Sequence, residues 1–242
     1  MEKYKEIAPV SILSFTILLS IVILAFVWKS AKSAEQTITV TGSAKKTITS
    51  DLGIQRVSIQ VVSYDRKTAY QQLVSQAPTL ITFLEKKGIK KDQVEMFPIN
   101  GYSVNKMNDN GYPTNEVSHY VYSQRFEIKD SDVNKIKDLS LQLVSLVESG
   151  LDIQVDSPEY LYSKIDDEKV VIQAEAAKNA MDRAQKVAES TGRDLGPLRN
   201  ARMGVIQITP PNSNMISDYG VNDNTSIIKE INAVVSASFE ID

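Results

Sequence analysis

INAVVSASFEI, residues 231–241, decides the class of this fold. Ile231, Ala233, Val235, Ala237, Phe239 and Ile241 fall on one side of a two-residue period, and Asn232, Ser236, Ser238 and Glu240 on the other. Apolar–polar alternation over eleven residues is the signature of a strand with one covered face. A sheet with one dry and one wet face is ordinarily antiparallel, with helices packed on the dry side.

Working back from this strand, PPNSNMISDYGVNDNTS (210–226) reads as a long polar loop, preceded by a strand around 201–209. A long helix is expected from about Asp167 to Ser190, closed by Thr191-Gly192. Its inward stripe reads as Val170, Ala174, Ala177, Met181, Ala184 and Ala188. Leu151, Ile153 and Val155 alternate as a short strand. Ahead of it, Val133, Ile136, Leu139, Leu143 and Leu146 form the stripe of another helix, capped by Ser131 or Asp130 and ended by Gly150.

The first half repeats the theme. TITVTG, opening at Thr37, is a short strand, and Val57, Ile59 and Val61 mark another. Asp65 is placed to cap a helix whose inward face is Ala69, Leu73, Ala77, Leu80 and Leu84, with Gly88 as its stop. Pro78 inside that pattern predicts a kink or break. Residues 93–105 and 117–129 read as a β-hairpin around KMNDNGYPTNE, with an edge or bulge at Pro98.

The expected order is β-β-α-β-β-α-β-α-β-β. The class is α+β, largely antiparallel, with two strand–helix–hairpin (βαββ) units at 52–129 and 151–241 plus an extra helix. The similar helix exits Gly88-Ile-Lys-Lys-Asp-Gln-Val and Gly192-Arg-Asp-Leu-Gly point to an internal duplication.

Residues 7–28, IAPVSILSFTILLSIVILAFVW, carry no charge. As a helix they would reach about 33 Å, enough for a bilayer core. Trp28 before Lys29 reads as an interfacial end. The expectation is a tail (1–6), a transmembrane anchor or uncleaved signal (7–28), a linker (29–36) and an extracytoplasmic domain (37–242). That places the protein in the inner membrane as a single-pass chain with its domain in the periplasm. The alternative is release to the periplasm after cleavage near Ala31-Lys32-Ser33, whose last position suits a signal peptidase poorly.

Lys+Arg is 27 and Asp+Glu 30, a net charge of −3. A mildly acidic domain lacks the footprint of a nucleic-acid binder. The absence of cysteine excludes disulfides, thiolate metal sites and thiol catalysis. His119 is the single histidine, so a His-based zinc site lacks its ligands. It falls on the face of Val121 and Ser123, the wetter one beside Tyr120, Tyr122, Phe126 and Ile128. Asn108, Asp109, Asn110 and Asp218, Asn222, Asp223, Asn224 are clusters that read as turn chemistry, with calcium as the rival reading. Asp166, Asp167 and Glu168 suit a helix N-terminus, and Lys86, Lys87, Lys90 and Lys91 a helix C-terminus. No nucleophile motif or phosphate-cradling loop occurs, so no catalytic, cofactor or metal residues are assigned. Tyr102, Tyr112, Tyr120 and Tyr122 crowd the hairpin and are the candidate interaction surface.

Several stretches together resemble the SIMPL-domain (DUF541) family. They are Ile38-Thr-Val-Thr-Gly42-Ser-Ala44, Gly88-Ile-Lys-Lys-Asp-Gln-Val94, Tyr120-Val-Tyr-Ser123 and the alanine-rich helix running into Ser190-Thr-Gly-Arg-Asp-Leu-Gly196. The likeness covers roughly residues 36–242, with Thr49-Ser50-Asp51 where the family usually shows Pro-Asp. It implies a bacterial envelope protein without established enzymatic activity, ring-like or channel-like oligomers, and links to stress resistance. The expected function is therefore non-enzymatic: a membrane-tethered periplasmic domain that forms a homo-oligomer, with an envelope or oxidative-stress role and no cofactor. An envelope ligand-binding module, with a cleft between the two units under loop 210–226, is the alternative, and a hydrolase a remote one.

Overall fold

The computed structural model describes residues 15–28 and 36–241. It is an α+β fold with two antiparallel sheets and four helices. Helix α1 covers the described part of the N-terminal apolar stretch, residues 15–28. The elements that follow are β1 (Thr37–Thr49), β2 (Leu52–Ser63), α2 (Arg66–Lys86), β3 (Val94–Met96), β4 (Asn100–Met107) and β5 (Pro113–Asp130). Then come α3 (Val133–Leu143), β6 (Asp152–Val155), β7 (Glu159–Leu161), α4 (Ile165–Ser190), β8 (Leu195–Met203), β9 (Gln207–Thr209) and β10 (Ile228–Ile241).

Residues 231–241 belong to β10, the central strand of one sheet, ordered β1-β10-β8 with β9 also on β10. Ile231, Ala233, Val235, Ala237 and Phe239 are all buried. Helix α4 covers their face with Ile172, Ala176, Ala180, Ala184 and Ala188. The other sheet is ordered β3-β5-β2-β6, with β4 on β5 and β7 on β2. Both α2 and α3 pack on it, through Leu73, Leu80, Leu84, Ile136, Leu139 and Leu143 against Val57, Ile59, Phe126 and Ile128.

The duplication takes a different form from the one expected. Strand β6 pairs with β2, in the first unit's sheet, rather than opening the second unit. The strand that serves the second unit is β1, which matches β10 residue for residue from Thr37↔Glu240 to Thr49↔Ile228. In each sheet the unit's first strand pairs with its last, and the last pairs with the strand after the helix. The second unit's first strand is separated from its helix by the whole of the first unit, so no contiguous window could show it.

Other boundaries also moved. Helix α2 runs without a break through Pro78, because buried Leu73, Leu80 and Leu84 hold both sides of the lost hydrogen bond to one face. Asp132, rather than Ser131 or Asp130, caps α3, accepting from Asn134 N and Lys135 N, since β5 continues to Asp130. After Leu143 the chain tightens into a 310 turn that ends at Gly150 in a left-handed conformation (φ 83°). The expected strand 93–105 is interrupted at Phe97–Ile99, around Pro98, into β3 and β4. The strand placed at 201–209 begins at Leu195 and is split into β8 and β9. In α4 the expected stripe is out of phase: Val170, Ala174 and Met181 are exposed, and Ile172, Ala176 and Ala180 are buried in their place. Alanines pack there because Gly42 of β1 brings the two backbones together.

Every described residue of α1 is exposed. Residues 1–14 and 29–35, which hold the expected tail, the first part of the expected span and most of the linker, lie outside the described residues. Among the described residues no helix is long and apolar enough to cross a membrane.

Candidate functional site

Strand β4 and the start of β5, which form a hairpin, are exposed along most of their length. Strand β2 ends at Ser63, paired with Tyr120. Beyond that point Pro113–His119 pair only with β4, down to Met107↔Pro113. At about 3.3 Å per residue, this two-stranded ribbon projects roughly 23 Å past the end of β2. Both of its edges offer unpaired backbone groups, and a two-stranded ribbon is marginal alone in water. Its turn is built by Asn108, whose Oδ1 accepts from Asn110 N at 3.0 Å and Tyr112 N at 2.9 Å, with Gly111 at φ 79°. The Asn108, Asp109, Asn110 cluster is thus the frame of a turn.

The four tyrosines are divided among three places. Tyr120 and Tyr122 point to the helix side. The Arg66 guanidinium lies 5.1 Å from the Tyr120 ring centroid, and Tyr70 meets Tyr122 edge-on at 6.0 Å. Gly101 opposite Tyr122 leaves room for that ring: a Cβ there would stand 2.6 Å from Tyr122 Cζ. Tyr102 is on the other face, half exposed and paired with Val121. Tyr112 stands exposed at the ribbon turn. Tyr102 and Tyr112 are available to a partner. Tyr122 packs against the core, and Tyr120 is partly buried against α2.

Across residues 38–239 the chain matches the SIMPL profile, described as a protein of unknown function (DUF541). The chain belongs to the SIMPL family. No curated protein matches it.

The remaining candidate chemistry of this SIMPL domain resolves into local structure. His119 is partly buried, with Nδ1 3.1 Å from Ser118 Oγ. A bulge at Ser118 shifts the β4–β5 register there. Val121, placed on the wetter face from sequence, is buried between Val62 and Tyr102 of the neighbouring strands. Asp166, Asp167 and Glu168 do open α4. Glu168 is buried and accepts from Lys46 Nζ at 2.7 Å, while Asp166 pairs with Lys169. Near α2, Lys91 pairs with Glu85 at 3.5 Å, and the Lys87 ammonium lies 5.4 Å from the Phe83 ring. Among the described residues no three His, Cys, Asp or Glu side chains are grouped to hold a metal ion.

A polar joint that periodicity could not reveal holds the two sheets of the SIMPL domain together. Lys229 of β10, 3% exposed, donates through Nζ to Tyr160 O of β7 at 2.6 Å and to Asp223 O of the long loop. Burial pushes the Lys229 pKa down, against the opposing pull of Asp223. Asp223 Oδ1 accepts from Thr225 N and Ser226 N, and Oδ2 is buried without a partner. Burial raises the Asp223 pKa, but those hydrogen bonds and Lys229 outweigh it and hold the carboxyl low. Ser50 N to Ile227 O, Asp51 N to Leu161 O and Tyr160 N to Asn224 O complete the joint. These contacts link the two units directly beside loop 210–226. Surface cavities among the described residues lie elsewhere, including one of about 320 Å³ beside Lys87, Asp132 and Lys135 and one of about 530 Å³ beside Val40, Arg183 and Val187.

Proposed function

We propose that this chain is a membrane-tethered, extracytoplasmic SIMPL domain that assembles with copies of itself through the β4–β5 ribbon. The observation that carries this reading is the ribbon itself, two strands that run past β2 with no strand partner on either outer edge. A second copy supplies what the ribbon lacks: strand partners for its edges and cover for Tyr102, Met107 and Tyr112. The outer edge of β1, in the other sheet, is closed to such pairing at its middle. There Asn179 Oδ1 accepts from Ser43 N and Arg183 donates to Thr41 O, so α4 side chains occupy that edge.

The tether rests on residues 7–28. Every residue of α1 is exposed, Phe15, Leu18, Ile21, Leu24 and Trp28 among them, and the domain covers none of these five. In this reading the helix lies in the inner membrane, the domain faces the periplasm, and the protein serves the envelope, including its response to oxidative stress. It catalyses no reaction and takes no cofactor.

Light scattering coupled to size exclusion tests the assembly. The full chain in detergent is expected to run as one discrete oligomer. A variant in which residues 105–117 are replaced by a two-residue turn is expected to run as a monomer with unchanged circular dichroism. A full chain that stays monomeric at high concentration overturns the assembly reading. An oligomeric ribbonless variant overturns the ribbon as its contact. Protease added to spheroplasts checks the orientation: protection of the domain would contradict a periplasmic position.

A further inference from the structure

Methionine is among the residue types most often fully buried, because its flexible thioether fills gaps in cores. Here every described methionine is on the surface: Met96 at 60% exposure, Met107 at 66%, Met181 at 46%, Met203 at 58% and Met215 at 61%. The buried hydrophobic core contains no methionine, being built of Ile, Leu, Val, Ala, Phe and Tyr. The chain has no cysteine. Among the described residues the most readily oxidised side chains are therefore distributed over the outside, on β3, β4, α4, β8 and the long loop, and the interior holds no sulfur.

This arrangement has a chemical consequence. Oxidation of a core methionine inserts a polar sulfoxide among apolar neighbours and disrupts packing. At five exposed positions the sulfoxide oxygen meets water, and the core is untouched. We infer that the surface methionines form an oxidant-accepting set, whose thioethers reduce hypohalous acids while the fold survives. In each event the sulfur lone pair attacks the oxidant. Sulfur gains the oxygen and is oxidised by two electrons, chlorine leaves as chloride, and the hydroxyl proton passes to solvent. Methionine sulfoxide reductases are the class of enzyme that would return the thioethers for another cycle. The inference does not rest on self-assembly, which affects only Met107, because that residue lies on the ribbon.

The test titrates the full chain in detergent at neutral pH with hypochlorous acid, up to about five equivalents. Peptide mapping reads each methionine separately, with Met1 counted apart. The expected result is sulfoxide at Met96, Met181, Met203 and Met215 before other side chains are chlorinated, at rates near that of free methionine, with an unchanged melting temperature. Met107 is expected to follow if the ribbon is free and to lag if assembly covers it, which reports on the assembly reading without deciding this one. Reductase treatment is expected to restore the original mass. A volume-conserving variant with leucine at all five positions should keep the fold and lose most of the rapid oxidant consumption. Unreactive methionines, unfolding on oxidation, or an equally consuming leucine variant would each overturn the inference. The measurements on the unaltered chain stand whether or not the variant folds.

Discussion

Gly42 of β1 packs directly against the backbone of Ala180 in α4. A Cβ on Gly42 would lie 2.7 Å from Ala180 Cα and closer still to Ala180 N and Ala176 O. Both sides of this contact are main chain, so nothing flexible can yield. Gly42→Ala is expected to cost about 3 kcal/mol, the upper end for overpacking. Urea unfolding of the variant checks it, and a loss under about 1 kcal/mol would show that α4 can lift away.

Lys229 is the second place where one residue holds two elements together. Lys229→Met fills similar volume but leaves the Tyr160 and Asp223 carbonyls without their donor. A loss of roughly 2–4 kcal/mol is expected. Hydrogen exchange should quicken at Tyr160 and around residues 223–229 before it does in the β2–β5 core. Uniform exchange across the domain would argue against a localised joint.

Acid should act through Asp130, which is 9% exposed. Burial pushes its pKa up, but the Asp132 amide, Lys135 and Gln93 more than reverse this and hold it below the ordinary 3.8. A carboxyl with a lowered folded pKa stabilises fully above the unfolded value, and that contribution disappears as pH falls through the folded one. Asp130→Asn should therefore cost about 1–2 kcal/mol at neutral pH. The difference from the unaltered chain should stay constant down to about 3.8 and shrink below it. A difference independent of pH in that acid range would refute the assignment.

The ribbon turn hangs on Asn108 Oδ1. Asn108→Ala should loosen the turn by about 1 kcal/mol without changing global stability, because residues 108–112 touch none of the core clusters. Faster amide exchange at Asn110 and Tyr112, with an unchanged melting temperature, is the expected readout. A fall in melting temperature would mean that the ribbon is part of the cooperative unit.

Much of the fold was legible where one side chain period ran without competition. The stripes of α2 and α3 and the alternation of β10 appear in the structure with nearly the residues predicted. Helix α4 was harder because its surface carries Val170, Val171, Ala174 and Ala177 as well as Ile172, Ala176 and Ala180. Several apolar phases are available there, and only contact with Gly42 selects one. Of the four hairpin tyrosines, alternation paired Tyr120 with Tyr122 correctly. That Tyr122 is held by Tyr70 depends on how α2 crosses the sheet, which period counting does not report.

By itself the sequence determined the α+β class, the antiparallel sheet pattern, the SIMPL resemblance and the absence of thiol chemistry, because these follow from local periodicity and residue inventory. Tertiary structure alone decided that β1 belongs with β10, that Lys229 closes the joint, and that the ribbon outruns β2. Each is a pairing between residues far apart in the chain, and such pairings are set by which backbone edges and buried polar groups find partners in space.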